Sequence, residues 1–331
     1  MYFDHYLGID ISKATLDAAL IIKEGEVVGQ TKVANNSHGF NDLASWIRKL
    51  KVKLSDVLVC AEHTGIYGYD LQIWLDDMQI SFAFVPALEI KRSLGIRRGK
   101  NDAVDALRIA EYAYIRRESI SLSHKPSDVI FQLRALLGER KQYVRMRAAL
   151  LARKDALHQY ESKESIDRRE KIIDKYAEYI ASVDKQMRGL MEHDEIKRNY
   201  ELISSVKGIG LVNAINTLVY TNNFTSFQTP RQYACYCGIA PFEHTSGTSI
   251  KGRTAVSKMG NQQLKCELTM AARSAIIHDP WMKQYYKRKM MSKGNAPGAH
   301  GIVLNAIKFK LIVRMFSVVK SGIPYKVMAY C

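Results

Sequence analysis

The stretch from residue 126 to about 195 constrains this chain most. Its only proline is Pro126, at the start, and its only glycines are Gly138 and Gly189. Leu136, Tyr143, Leu150 and Leu157 recur every seven residues, with Leu137, Val144 and Leu151 beside them. Further on, Ile173, Tyr176, Ile180, Val183, Met187 and Leu190 advance in alternating steps of three and four. Apolar residues in that rhythm form the seam between paired helices. Two long helices joined near residues 162–165 are expected, as a hairpin within one chain or a coiled coil between chains; the spacing fits both. The chain then divides into three blocks, residues 1–125, 126–195 and 196–331.

The first block alternates strand and helix signals. Tyr6-Leu7-Gly8-Ile9-Asp10 opens it, and apolar runs at residues 16–22 and 27–33 complete a three-strand meander. Asn36 and Ser37 offer caps for a helix carrying Phe40, Leu43, Trp46, Ile47 and Leu50. A buried-type strand at 57–61, a helix over 67–78 and a strand at 80–85 stopped by Pro86 follow. Asn101 then caps a helix towards Ile115. Antiparallel strands followed by alternating helices and strands predict an α/β domain on a mixed sheet. The third block reads as mostly helical, broken at Gly208-Ile209-Gly210, at residues 245–254 and at 294–301.

Charge is unevenly placed. The formal net charge is +16, and from Ser246 onward fifteen Lys/Arg stand against only Glu267 and Asp279. A folded segment this basic predicts a polyanion-binding surface, chiefly for nucleic acid, although a membrane surface or ribosomal RNA also fits. Between Arg134 and Lys154 seven basic residues face only Glu139, so Arg140 and Arg147 are further phosphate candidates. No apolar run is long enough to span a bilayer and no signal segment opens the chain, which predicts a cytoplasmic protein. Five cysteines without framework spacing, including a C-x-C at Cys235 and Cys237, read as buried free thiols.

Acidic residues stand where strands and helices should end. Asp10 follows the first strand, Glu62 follows the 57–61 strand, and Asp102 and Asp105 share a face near a helix start. Taken singly, each reads as a turn cap or a complement to a helix N-terminus. As a set, the four carboxylates suit Mg²⁺, which prefers oxygen ligands. Two such ions about 4 Å apart stabilise both oxygens of a phosphodiester displacement. Gly8–Lys13 alone also resembles the phosphate turn of actin-like ATPases.

A second cluster runs Thr245-Ser246-Gly247-Thr248-Ser249-Ile250-Lys251-Gly252-Arg253, then Ser257-Lys258-Met259-Gly260-Asn261. Small residues admit a phosphate close to the backbone, and Lys251, Arg253 and Lys258 neutralise it. In isolation the cluster reads as phosphate-binding, because a serine nucleophile needs a base or a metal. Gly208 and Gly210 fit either a helix-hairpin-helix turn holding DNA phosphate through its amides or a plain helix–helix turn. Tyr285-Tyr286-Lys287-Arg288-Lys289 fits either stacking on single-stranded nucleic acid or helix packing.

Tyr6–Asp10 with Ser12-Lys13, Glu62-His63-Thr64-Gly65-Ile66-Tyr67, and Lys100-Asn101-Asp102-Ala103-Val104-Asp105-Ala106 together resemble the DEDD motif of the insertion-sequence-110 transposases and their Piv-type invertase relatives. Residues 230–241 and Ser246-Gly247-x-Ser249-x-Lys251-Gly252 resemble that family's second domain. The resemblance spans nearly the whole chain, in order. It implies an N-terminal RuvC-like (RNase H fold) domain binding Mg²⁺ through Asp10, Glu62, Asp102 and Asp105. It implies Ser246 as a nucleophile that links covalently to DNA, in a composite site shared between subunits of a homodimer or homotetramer. It also implies a guide non-coding RNA that pairs with target and donor DNA. Thr245, Lys251 and Lys265 depart from the family pattern, which often has an acid at the first position and arginine at the other two. Losing the guanidinium fork changes how phosphate is held.

The resulting expectation is an RNA-guided DNA recombinase, the transposase of an insertion element, with no membrane partner. The fold expected is α/β plus α: a RuvC-like domain, an antiparallel helical middle and a mostly helical transposase domain. Its rival is a RuvC-like structure-specific endonuclease that uses metal-activated water and leaves Ser246 dispensable. A kinase or ATPase lacks a second phosphate-loop signature here, and a non-enzymatic scaffold leaves the acidic set unexplained.

Overall fold

The computed structural model describes residues 3–62, 65–93, 102–157, 160–242, 245–246, 250–251, 255–256, 260–294 and 296–327. They fall into two compact units, Met1–Lys125 and Pro126–Cys331.

In the first unit, β1 (His5–Ile11), β2 (Thr15–Ile22) and β3 (Val27–Ala34) form the expected meander, followed by α1 (Ser37–Lys49) and β4 (Val57–Glu62). Then come α2 (Tyr69–Asp77), β5 (Phe82–Val85), α3 (Ala87–Ser93) and α4 (Asp102–Ile115). The sheet order is β3-β2-β1-β4-β5; β1 runs antiparallel to β2 and parallel to β4. Helices cover both faces, so strand alternation sorts side chains into two cores. Leu7, Ile9, Leu16, Val57 and Val59 pack with Phe40, Leu43 and Ile47 of α1 and Leu71 and Leu75 of α2. Tyr6, Ile21, Leu58 and Cys60 pack on the opposite face with Ile109, Ala110 and Ala113 of α4.

Asn36 caps α1 as expected, accepting from the Gly39 amide. The helix expected from residue 67 begins at Tyr69, because Gly65–Gly68 winds as a 3₁₀ turn. The cap expected at Asn101 lies outside the described residues.

The second unit is built from α5 (Asp128–Leu157), α6 (Lys163–Leu190), α7 (Asp194–Ser204), α8 (Leu211–Tyr220), α9 (Pro230–Tyr236), α10 (Gln262–His278), α11 (Pro280–Lys293) and α12 (Ala299–Ser321). Ser162 caps α6, and α5 and α6 pack on one another within the chain. Arg140 of α5 donates to Asp184 of α6 at 2.6 Å, and the Tyr143 ring meets Tyr176 and Tyr179. The root of this hairpin, Ile130, Leu133 and Leu137 on α5 with Val183 and Met187 on α6, sits in one core with α7 to α12. Cys60 and Cys237 are buried thiols as expected, and burial pushes Cys237 up to about 12. Cys266 is exposed, because it stands on the outer face of α10. No helix among the described residues is long and apolar enough to cross a membrane.

Candidate functional site

The carboxylates of the first unit assemble through strand parity and one glycine. Along β1, Tyr6, Gly8 and Asp10 face α4, whereas Leu7 and Ile9 face α1 and α2. On β4, Leu58 and Cys60 share the α4 side, so Glu62 lies on that side too. Ile9 pairs with Ala61 in the parallel ladder, which places Asp10 and Glu62 next to each other at neighbouring strand ends.

Gly8 brings in the other two acids. A β-carbon there would lie 2.1 Å from the Ala106 carbonyl oxygen and 2.2 Å from the Ala110 amide nitrogen. Only glycine allows α4 that close. The first turn of α4 carries Asp102 and Asp105. Burial, followed by the nearby charges of Asp102, Asp105 and Asp17, holds the Asp10 carboxyl above the ordinary carboxylate range.

The site has members that sequence reading missed. Asp17 stands opposite Asp10 across the β1–β2 ladder and is almost fully buried. Lys32, its partner on β3, reaches Asp17 at 2.9 Å and Asp102 at 3.9 Å. Asp105 accepts from Arg108 at 2.9 Å. Asn35 donates to the carbonyls of Ser12 and Tyr67, both at 2.9 Å, which ties the turn after Asp10 to the turn after Glu62. The Asn35 Oδ1 is buried without a hydrogen-bond partner. Only a polar residue just past β3 hinted at this role.

Among the described residues no three Asp, Glu, His or Cys side chains close tightly enough to hold a metal ion. The donor set still fits a hard divalent cation: it is all carboxylate oxygen, and Asp10 already carries the electrostatic cost of its acidic neighbours. His63, beside Glu62, lies outside the described residues.

In the second unit, Ser246 stands on a two-stranded ribbon. There Thr245 and Ser246 pair with Lys251 and Ile250, and a separate two-stranded sheet pairs Pro241 and Phe242 with Val256 and Ala255. The second of these sheets directly follows buried Ile239 and Ala240. There the backbones of Gly238 and Gly260 cross so closely that a β-carbon on Gly260 would lie 2.2 Å from the Gly238 α-carbon. Asn261 then caps α10 by accepting from the Leu264 amide. Residues 247–249, Gly252, Arg253 and Lys258 lie outside the described residues.

The remaining phosphate candidates differ in setting. Arg140 is engaged by Asp184, while the Arg147 Nε is buried without a partner. Gly208 has φ +97° and presses on α10, where a β-carbon would meet the Ala271 carbonyl oxygen at 2.6 Å. Ile209 is buried, so the turn packs its apolar side chain inward. Gly210 opens α8 with free space around it.

Residues 7–160 match the DEDD transposase model of IS110 elements, and residues 200–287 match the transposase model of the IS116/IS110/IS902 family. The chain belongs to the IS110 transposase family. As a member of it, this transposase is a DNA recombinase. The DEDD class employs a divalent metal ion. The pilin gene-inverting proteins of Moraxella bovis and Moraxella lacunata are each 29% identical to it over 324 residues, 97% of either chain. An insertion element IS110 protein of Streptomyces coelicolor is 32% identical over 125 residues, 38% of this chain and 30% of its own length. Among solved structures, T. thermophilus RuvC in complex with a Holliday junction substrate matches 36% of this chain and 99% of its own, at 11% identity and a TM-score of 0.28.

Proposed function

We propose that this transposase cuts and rejoins DNA through a covalent link to Ser246, with Asp10, Glu62, Asp102 and Asp105 holding Mg²⁺. The observation that carries the reading is the approach of α4 onto Gly8, which sets Asp102 and Asp105 against Asp10 beside Glu62. When bound, the cation lowers hydroxyl pKa values and neutralises charge on the reacting phosphate. In the reaction the Ser246 Oγ bonds to phosphorus as a phosphorus–sugar-oxygen bond breaks. The serine proton leaves to water and the departing sugar oxygen gains one. The phosphoserine ester conserves phosphodiester energy, so rejoining needs no ATP.

We assign residues 1–125 to metal binding, 126–195 to a helical spacer and 196–331 to the serine chemistry. Lys251, Arg253 and Lys258 neutralise the scissile phosphate, and Gly208, Gly210, Arg140 and Arg147 contact the backbone. Similarity over 97% of the chain to proteins named for inverting pilin genes supports recombination between defined DNA sites. The family resemblance supports a guide non-coding RNA and a homodimer or homotetramer.

Ser246→Ala is expected to abolish covalent DNA attachment while sparing nucleic-acid binding, read by denaturing gels of labelled substrate. Strand exchange by that variant would remove the serine from the mechanism, and nicks without attached protein would favour hydrolysis. Sequencing the RNA that co-purifies from cells carrying the flanking DNA tests the guide. One dominant species from beside the gene is expected; a featureless mixture overturns it.

A further inference from the structure

Among the described residues of the basic C-terminal segment, several cations share a single aromatic support. On α11 the rings of Trp281 and Tyr285 stack at 5.4 Å with an interplanar angle of 6°. The Lys310 ammonium, from α12, lies 5.1 Å from the Trp281 ring centroid and 4.7 Å from that of Tyr285. Arg288 and Lys289 approach the same tyrosine ring at 5.7 and 5.9 Å. Arg314 lies 4.9 Å from the Trp281 ring. A cation gains from an aromatic face within about 6 Å, but one ring cannot neutralise three.

The carboxylate at hand is already committed. Asp279 is fully buried; it accepts from Arg314 at 2.6 Å, from the Tyr325 hydroxyl at 3.0 Å and from the Met282 amide at 3.1 Å. Arg314 is thereby paired, while Arg288, Lys289 and Lys310 have no acidic partner among the described residues. Burial, then the charges of Arg314, Arg288 and Lys289, lower the pKa of Lys310. The fold maintains this repulsion, and an anion would relieve it.

We propose that Arg288, Lys289 and Lys310, backed by Trp281 and Tyr285, form a binding site for the phosphodiester backbone of a polynucleotide. The site holds phosphate and does not stack bases. Tyr285 is only 9% exposed and its ring is occupied by Trp281, whereas the Tyr286 hydroxyl is engaged with His300 at 2.9 Å. Recognition is therefore independent of sequence and sensitive to salt. The proposal rests on a polynucleotide being the substrate, and on neither the serine nor the metal chemistry.

The test is fluorescence anisotropy of the full-length protein with a random-sequence DNA duplex and with an RNA hairpin, across a salt series. The Arg288→Gln/Lys289→Gln pair changes exposed side chains. It is expected to weaken binding at least tenfold at low salt. On duplex DNA it should reduce the slope of log K against log salt by about 2, near 0.9 per lost phosphate contact. Lys310→Gln should take away about one further contact, and Lys310→Arg should restore it. Loss on DNA alone, or on RNA alone, supports the site and names its occupant. Unchanged affinity and slope on both probes overturns the proposal, as does weaker binding with an unchanged slope. A wild-type protein that binds neither probe would instead sink the polynucleotide reading itself.

Discussion

Asp10 shows how a single side chain stores a cost that a ligand can remove. Burial and its acidic neighbours hold its carboxyl above the ordinary range. Asp10→Asn should raise the melting temperature of the metal-free protein by about a degree or two, because solvent screens a half-buried carboxylate. It should also erase the stabilisation that Mg²⁺ gives the parent. Scanning calorimetry reads both, and a less stable variant that still responds to Mg²⁺ would contradict the metal assignment. Lys308 presents the opposite charge. It is 6% exposed on α12, and burial with Lys265 and Arg273 lowers its pKa. The unfolded chain therefore binds the proton more tightly, and stability should rise with pH between the depressed value and the ordinary 10.5. Lys308→Met should be more stable than the parent at neutral pH and lose that rise; urea midpoints at pH 7 and pH 10 decide it. The four family acids were legible in sequence because each ends an apolar run or starts a helix. Asp17, Lys32 and Asn35 were not, because strand pairing alone brings them to the site.

At the level of elements, the seating of α4 on β1 decides whether an acidic cluster exists. Nothing in the spacing along β1 foretold which helix would cover the side that carries Asp10. Gly8→Val drives a side chain into the α4 backbone near Ala106 and Ala110. The expected cost is about 1–3 kcal/mol or more, the usual range for overpacking, together with loss of Mg²⁺ binding by titration calorimetry. Normal stability and affinity would mean that α4 rides higher than described. The seven-residue rhythm in the middle of the chain was legible as paired helices. Its division of labour was not. Ile130, Leu133 and Leu137 belong to the core of the second unit, while Tyr143 meets α6 through ring contacts. Periodicity reports that a face is apolar and leaves open what covers it.

Across the whole molecule, the two units carry different electrostatic duties. Residues 1–125 hold sixteen Lys/Arg and sixteen Asp/Glu, so the entire formal charge of +16 belongs to residues 126–331. A neutral unit presenting a carboxylate cluster has no long-range attraction for a polyanion. The second unit has it, with cations such as Arg288, Lys289 and Lys310 that need no metal to meet phosphate. Affinity and chemistry should therefore separate. In EDTA the protein is expected to keep its DNA affinity within about twofold, since counterion release is set by Lys and Arg contacts. Covalent attachment to DNA should disappear under the same conditions and return with Mg²⁺. Raising salt should act in the reverse sense, lowering affinity steeply while leaving the reactivity of DNA already bound. Anisotropy and denaturing gels on one set of samples measure the two quantities side by side. Affinity lost in EDTA would place a metal between carboxylate and phosphate at the binding step, and the division of labour between the units would fall.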